Sequence, residues 1–329
     1  MEKKFILTEE TFTIGKRTLY RIKAIRDFRN VKKGDLGGFI EKERNLSQKG
    51  DCWIYNDACV FDEAYIYDNA RISGVAWVCD RACIYNNARI GGIARISGRA
   101  HISDNAHVYD SVYVCEKASI YGDARVYGEA YIHGDARIFG NTCIFDSAHI
   151  HGNAQVCDKA KVYDNAHIHE SSYVGGNAVV FENANIRGNA RVYGEARVGE
   201  QALVQFSQLD SDLKEDLKAS LRCQCNLIPE GDKVIAYKVV HKDLSSLHDR
   251  NFVYKVGKIA ICENPQEDNS SCSPGLHFSN LTYWDNEAKD SLDNLIYLKA
   301  EISLEDIITI QHGKIRCRKA KILNKIEIF

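Results

Sequence analysis

The sequence predicts a mainly β protein. It comprises a parallel β-helix of six-residue steps over residues 50–205, an N-terminal β cap over 1–49 and a C-terminal α+β domain over 206–329. Two periodic series carry the central prediction. Every sixth residue from Ala58 to Ala202 is alanine at 22 of 25 positions, the exceptions being Val112, Thr142 and Ser172. Every sixth residue from Val60 to Val204 is isoleucine or valine at all 25. The frame never slips, so no insertion interrupts the array, and a fixed period of this kind means stacked units.

At the N-terminus, "TFTIGKRTLYRIKAI" (residues 11–25) places Gly15-Lys16 between two β-rich runs, the pattern of a hairpin. Such a hairpin would cover the open edge of the first coil. Residues 1–49 hold 13 Lys+Arg against 7 Asp+Glu. That excess reads as a solvated cap face in preference to a surface for an anionic partner.

Within each hexad the small residue and the aliphatic one are two apart, so they share the inward face of an extended strand. Their outward neighbours are Arg, Tyr, His, Cys and Phe. The next two positions hold Gly-Asp, Gly-Asn or Asp-Asn, residues that tolerate corners. Three hexads close an 18-residue triangular coil. From Asp51 onward about 26 hexads make roughly nine coils, a rod on the order of 40 Å long at ~4.8 Å per rung. One coil buries three Ile/Val at roughly 1.5–3 kcal/mol each, against roughly 1–2 kcal/mol of backbone entropy per residue. Only the capped stack can be stable.

After Val204 the hexads stop. Leu209, Leu213, Leu217 and Leu221 have helical spacing, with Ser and Asp available as caps. The strand-like runs "KVIAYKVV", "FVYKVGKIAIC", "GLHFS", "LIYLKAEI" and "IITIQHGKIRCRKAKIL" follow.

Composition narrows the function classes. The net charge of −2 exerts no global pull on nucleic acid or membrane. No apolar run reaches the length of a bilayer span. Twelve cysteines in a chain without a secretory pattern predict reduced thiols in a cytoplasm. Cys223-x-Cys225 reads as two ordinary thiols ahead of a metal site. No metal or cofactor is expected.

The unbroken frame stacks side chains 18 apart, and one face becomes rich in rings. Its outward column runs Phe61, Cys79, Ser97, Cys115, His133, His151, His169, Arg187. The adjacent column runs Cys59, Trp77, Arg95, Tyr113, Tyr131, His149, His167, Asn185. Tyr113, Tyr131, His133, His149, His151, His167 and His169 are therefore candidate binding residues. Imidazoles on adjacent rungs could share a metal or a proton, present a patch to a partner, or simply pack as a flat ladder. A second face interleaves Arg71, Arg89, His107, Arg125, Lys161 and Arg197 with Tyr55, Tyr109, Tyr127, Phe145, Tyr163 and Phe181. Such interleaving could follow a nucleic-acid strand. Residues 50–205 net −6, from 13 Lys+Arg and 19 Asp+Glu, and pairing of the arginines with corner carboxylates (Asp57, Glu63, Asp123, Glu129, Asp135) is the preferred account.

Val31–Ala58, with Gly37-Gly38, Leu46-Ser47 and Gly50-Asp51-Cys52-Trp53-Ile54, resembles the opening segment of YdcK-like hexapeptide-repeat proteins. That resemblance implies a left-handed winding. It also raises acyl transfer at a subunit groove, with His133, His151 or His169 as base, and self-association as a trimer or dimer. "CS-x-GLH" (Cys272–His277) and the Gly313–Arg318 run resemble a C-terminal module of phage proteins of the RIIB type. This implies a phage or prophage gene acting in a host cytoplasm. The order of the C-terminal runs is similar to ADP-ribosyltransferase-like folds, for which Tyr237, His277 and Glu301 would be the polar trio. The preferred expectation is a non-enzymatic scaffold that binds a protein partner, such as a host or defence factor.

Overall fold

The computed structural model describes residues 3–206, 208–210, 216–266, 274–287, 295–311 and 313–326. The chain forms two compact units, Met1–Glu195 and Ala196–Phe329.

The first unit begins with the expected hairpin. Strand Phe5–Ile14 runs antiparallel to Arg17–Ala24, and Gly15 takes the left-handed conformation (φ 60°) that the turn requires. A third strand, Leu36–Ile40, pairs antiparallel with Arg17–Ala24 on one side and parallel with Cys59–Val60 on the other. It therefore converts an antiparallel cap into a parallel stack. Lys4 seals the end: its buried ammonium donates to the carbonyls of Lys49, Gly50 and Cys52 at 3.3, 3.2 and 2.8 Å. Several cap cations form ion pairs within the cap and first coil. Arg17 pairs with Asp62, Arg21 with Glu10 and Asp57, Lys3 with Glu43, and Arg44 with Glu63.

From Trp53 to Val192 each hexad contributes a two-residue strand, and within this unit hexads 18 residues apart pair in parallel. In the column of His149–Ile150, for example, Ile150 registers with Ile132 and Ile168, and His149 with Tyr131 and His167. Three parallel sheets result. The alanine and aliphatic series, except the half-buried Ala202 at the end, fill the interior with essentially no exposure.

The corners correct one expectation. Asp80, Asp104, Asp158 and Glu170 adopt left-handed φ of 55–61°. Their carboxylates accept the backbone N–H 18 residues on, at Gly98, Gly122, Gly176 and Gly188, over 2.9, 3.0, 2.8 and 2.7 Å. Four of the corner acids expected to pair with the arginine face also bond elsewhere. Asp57 and Glu63 are held by cap cations, Asp123 accepts from Asn105 and Asp135 pairs with Lys117. In these coils the corner carboxylate lies directly below an N–H of the next coil that has no carbonyl of its own to bond.

Two interior exceptions behave differently. Ser172 donates to the carbonyl of His169 at 2.7 Å, whereas the buried Thr142 hydroxyl has no partner. Val112 occupies the equivalent inward position in another coil, fully buried. Thr142→Val is therefore expected to stabilise the protein by about 1 kcal/mol by removing an unsatisfied hydroxyl. A urea midpoint raised at constant slope would establish this, and a lowered midpoint would refute it.

The second unit opens with two further hexad strands, Arg197–Val198 and Leu203–Val204. Leu209 lies in a short strand, Gln208–Leu209, outside the expected helix. Residues 211–215, including Leu213, fall outside the described residues. The helix runs Leu217–Cys225 because Asp216 caps it, accepting the Ala219 N–H at 2.9 Å, and Asn226 ends it in a left-handed C-cap. A four-stranded antiparallel sheet orders Lys233–His241, Leu295–Ser303, Lys319–Ile326 and Ile259–Ile261. A three-stranded sheet orders Leu276–Phe278, Lys314–Cys317 and Ile307–Gln311. The long C-terminal run becomes three strands, with Gly313 turning at φ 78°. Of "FVYKVGKIAIC" only Ile259–Ile261 is strand, after a turn at Gly257. No helix among the described residues is long and apolar enough to cross a membrane.

Candidate functional site: a stacked histidine–tyrosine wall

The candidate residues on the first unit form one continuous assembly. Tyr113 stacks on Tyr131 at 5.1 Å between ring centroids, and Tyr131 on both His133 (4.5 Å) and His149 (5.0 Å). His133, His151 and His169 make a nearly parallel pile at 4.8 and 4.9 Å. His167 meets His149 edge-on at 5.1 Å. The spacing follows from the ~4.8 Å rung of a parallel sheet, which falls within the roughly 4.5–7 Å centroid separation of offset-stacked rings.

Polar atoms of the wall bond diagonally across rungs. His133 Nε2 lies 2.8 Å from His149 Nε2, so one ring donates to the other. His169 Nε2 lies 3.0 Å from Asn185 Oδ1. The Cys115 thiol donates to the Tyr131 hydroxyl at 3.7 Å. Carboxylates stand at the ends of the pile, Glu116 at 3.9 Å from His133 Nδ1 and Glu170 at 3.8 Å from His169 Nδ1. Burial, reinforced by the neighbouring imidazoles, lowers His149 to about 4, and it also lowers His151 and His167. These rings are neutral at pH 7. Neutral imidazole is the ligating form, and one nitrogen each from His133, His149 and His151 lie within 4.8 Å of one another, a donor set suited to a borderline divalent metal.

The second face forms its own ladder. Tyr127, Phe145, Tyr163 and Phe181 stack at 5.3, 4.7 and 5.6 Å. Arg89 and Arg125 flank His107 in register, and burial together with these cations lowers its pKa.

Two of the C-terminal trio stand on paired strands, where Tyr237 registers with Lys299 and Ile235 with Glu301, and Tyr237 also bridges Ser279, two residues past His277. Tyr237 packs beside the Val239, Trp284 and Tyr297 cluster. Glu301 accepts from Lys233 at 3.0 Å. His277 lines a cavity, where its Nε2 accepts the Arg316 Nε–H at 3.3 Å and burial lowers it to about 3. Cys223 and Cys225 are buried on the helix, two residues apart and so not facing one another. Burial raises both thiols, Cys223 to about 11.

One residue escaped sequence reasoning. Along Lys233–His241 the residues Val234, Ala236, Lys238 and Val240 are all buried. A lysine thus stands where period-two alternation calls for an aliphatic. The break in "KVIAYKVV" was the available signal.

No family model matches the chain. Over 59 residues it is 46% identical to a protein of Escherichia coli (strain K12) described as uncharacterized acetyltransferase YdcK. That match takes in 18% of this chain and 18% of the relative, so the chain spans under a fifth of the curated relative it matches. Together with the parallel coils, the likeness fits a hexapeptide-repeat β-solenoid that is similar to YdcK over one segment.

Proposed function

We propose that the protein is a binding scaffold whose stacked wall docks a protein partner, without chemistry at the wall itself. The observation that supports this reading is the pre-ordering of Tyr113, Tyr131, His133, His149, His151, His167 and His169. Rings already stacked and bonded to one another lose little freedom on binding. Tyrosine presents large, rigid contact area with a polar tip, the character of interface anchors. The resemblance of the C-terminal module to phage proteins points to a host or defence factor in the host cytoplasm as partner. Immobilised full-length protein is expected to retain one stoichiometric partner from host lysate, with Tyr131→Glu weakening capture at least about ten-fold, the loss of one anchor. Undiminished capture by Tyr131→Glu would exclude the wall. A second copy of the chain as occupant would appear as a dimer or trimer in light scattering that the same substitution dissolves.

The partial likeness to a protein described as an acetyltransferase favours a second reading, acyl transfer at a groove between subunits, with His133, His151 or His169 as base. It requires that acetyl-CoA binds and that His151→Ala abolishes turnover while the fold persists. Absence of acetyl-CoA binding by calorimetry removes it.

A further inference from the structure

Lys238 of the second unit is 4% exposed on the core face of its strand. Its Nζ donates to the carbonyl of His277 at 3.2 Å. Three rings surround it, Trp284 at 5.5 Å, Tyr254 at 5.7 Å and Phe278 at 5.9 Å to their centroids. Among the described residues no carboxylate forms an ion pair with it, although Asp249, Glu263 and Glu287 line the same cavity, as do His248 and Lys314. The cavity holds about 520 Å3, within the range of small-molecule sites. A buried amine with one hydrogen bond and no counter-ion is costly. A core position of this strand would be filled more stably by an aliphatic residue. Placed against a cavity, it is a group held for use.

We propose that Lys238 is a nucleophilic amine for a small carbonyl ligand bound in this cavity, an aldehyde or an α-keto acid, with which it condenses to an imine. The neutral amine adds through Nζ to the carbonyl carbon, and the C=O electron pair moves to oxygen. Both nitrogen-bound hydrogens leave with that oxygen as water, and the C=N bond forms. No oxidant or reductant takes part. The reaction needs an unprotonated amine near neutral pH, and burial, reinforced by Lys314, lowers Lys238 to about 8. The rings keep the amine from bulk water, and the strand fixes its position. The proposal concerns the second unit alone and is independent of what docks on the wall.

The test uses the full-length wild-type chain, so no folding defect of a variant enters. Pyruvate, and in a separate arm propionaldehyde, is incubated with it at pH 7.5 in sodium cyanoborohydride, which reduces any imine to a stable secondary amine. Peptide mass spectrometry then compares Lys238 with the exposed Lys255. Lys238 is expected to be alkylated on the order of ten-fold faster or more, reflecting its larger unprotonated fraction, with a half-rise near pH 8. Preference with pyruvate alone assigns an α-keto acid site, and preference with both an aldehyde site. Either result supports the proposal. Alkylation of Lys238 no faster than of Lys255 overturns it, because a merely structural buried lysine would be shielded.

Discussion

Gly38→Ala is expected to destabilise the first unit by about 3 kcal/mol, the upper part of the range for overpacking. A methyl group at this position would lie 2.4 Å from the Ala58 carbonyl oxygen and 2.4 Å from Ile54 Cγ2. The carbonyl cannot yield cheaply, because it accepts the Phe39 N–H at 2.9 Å and so forms the first rung between cap and coil. Gly37 is equally confined, with Ile54 O at 2.6 Å and Trp53 Cζ2 at 2.7 Å from its absent Cβ. Leu36–Ile40 carries both the antiparallel and the parallel pairing of the cap. Its displacement should therefore free the hairpin and expose the edge of Cys59–Val60, a template for other chains. Faster hydrogen exchange across residues 5–40, together with a rise in mass by light scattering, is the expected signature. Gly15→Ala provides the contrast. Nothing lies within 4 Å of its Cβ position, so only the left-handed φ resists, at about 1–2 kcal/mol. If the two variants lose equal stability, the close packing at Gly38 is not what joins cap and coil.

The coils were legible because every hexad solves the same local problem. An alanine two residues before an aliphatic, followed by a residue suited to left-handed φ, specifies strand and corner without reference to distant chain. The stacking of His133, His151 and His169 was legible for the same reason, since an unbroken frame converts spacing into register. What the corner carboxylates do was not. Pairing Asp104 with the Gly122 N–H depends on which polar group the next coil leaves unsatisfied, and charge alone points to arginine instead. In the second unit the limits are of another kind. Leu209 continues a leucine spacing yet lies in a strand, because the helix begins only where Asp216 can cap it. The cage of Lys238 draws Tyr254, Phe278 and Trp284 from three separated segments. Non-local contacts of that sort leave no period to read, although the misplaced lysine itself stood in plain view.

Acidification is expected to weaken the first unit through its wall, and the sign follows from the lowered imidazole pKa values. In the unfolded chain His149 titrates at its ordinary 6.5, and in the folded chain at about 4. Burial is the main cause, and His151, His167, His133 and His169 add repulsion. Between those values the unfolded chain binds a proton that the folded chain refuses. Stability is therefore full above pH 6.5 and falls progressively as the pH drops toward 4. His151 and His167 are lowered in the same direction and act in the same window, with Glu170 partly opposing the shift at His151. Because the rings are partly exposed, solvent screening reduces the contribution of His149 to about 1 kcal/mol. His149→Tyr keeps a stacking ring without the titration, as Tyr131 does one coil below in the same register. Urea unfolding at pH 7.5 and at pH 5.0 should show a smaller loss for that variant than for the parent, with the difference absent at pH 7.5 once each is referred to its own neutral value. Parallel losses in the two proteins would mean that His149 is as free to protonate as an imidazole in water, and that the wall is not the closed stack described above.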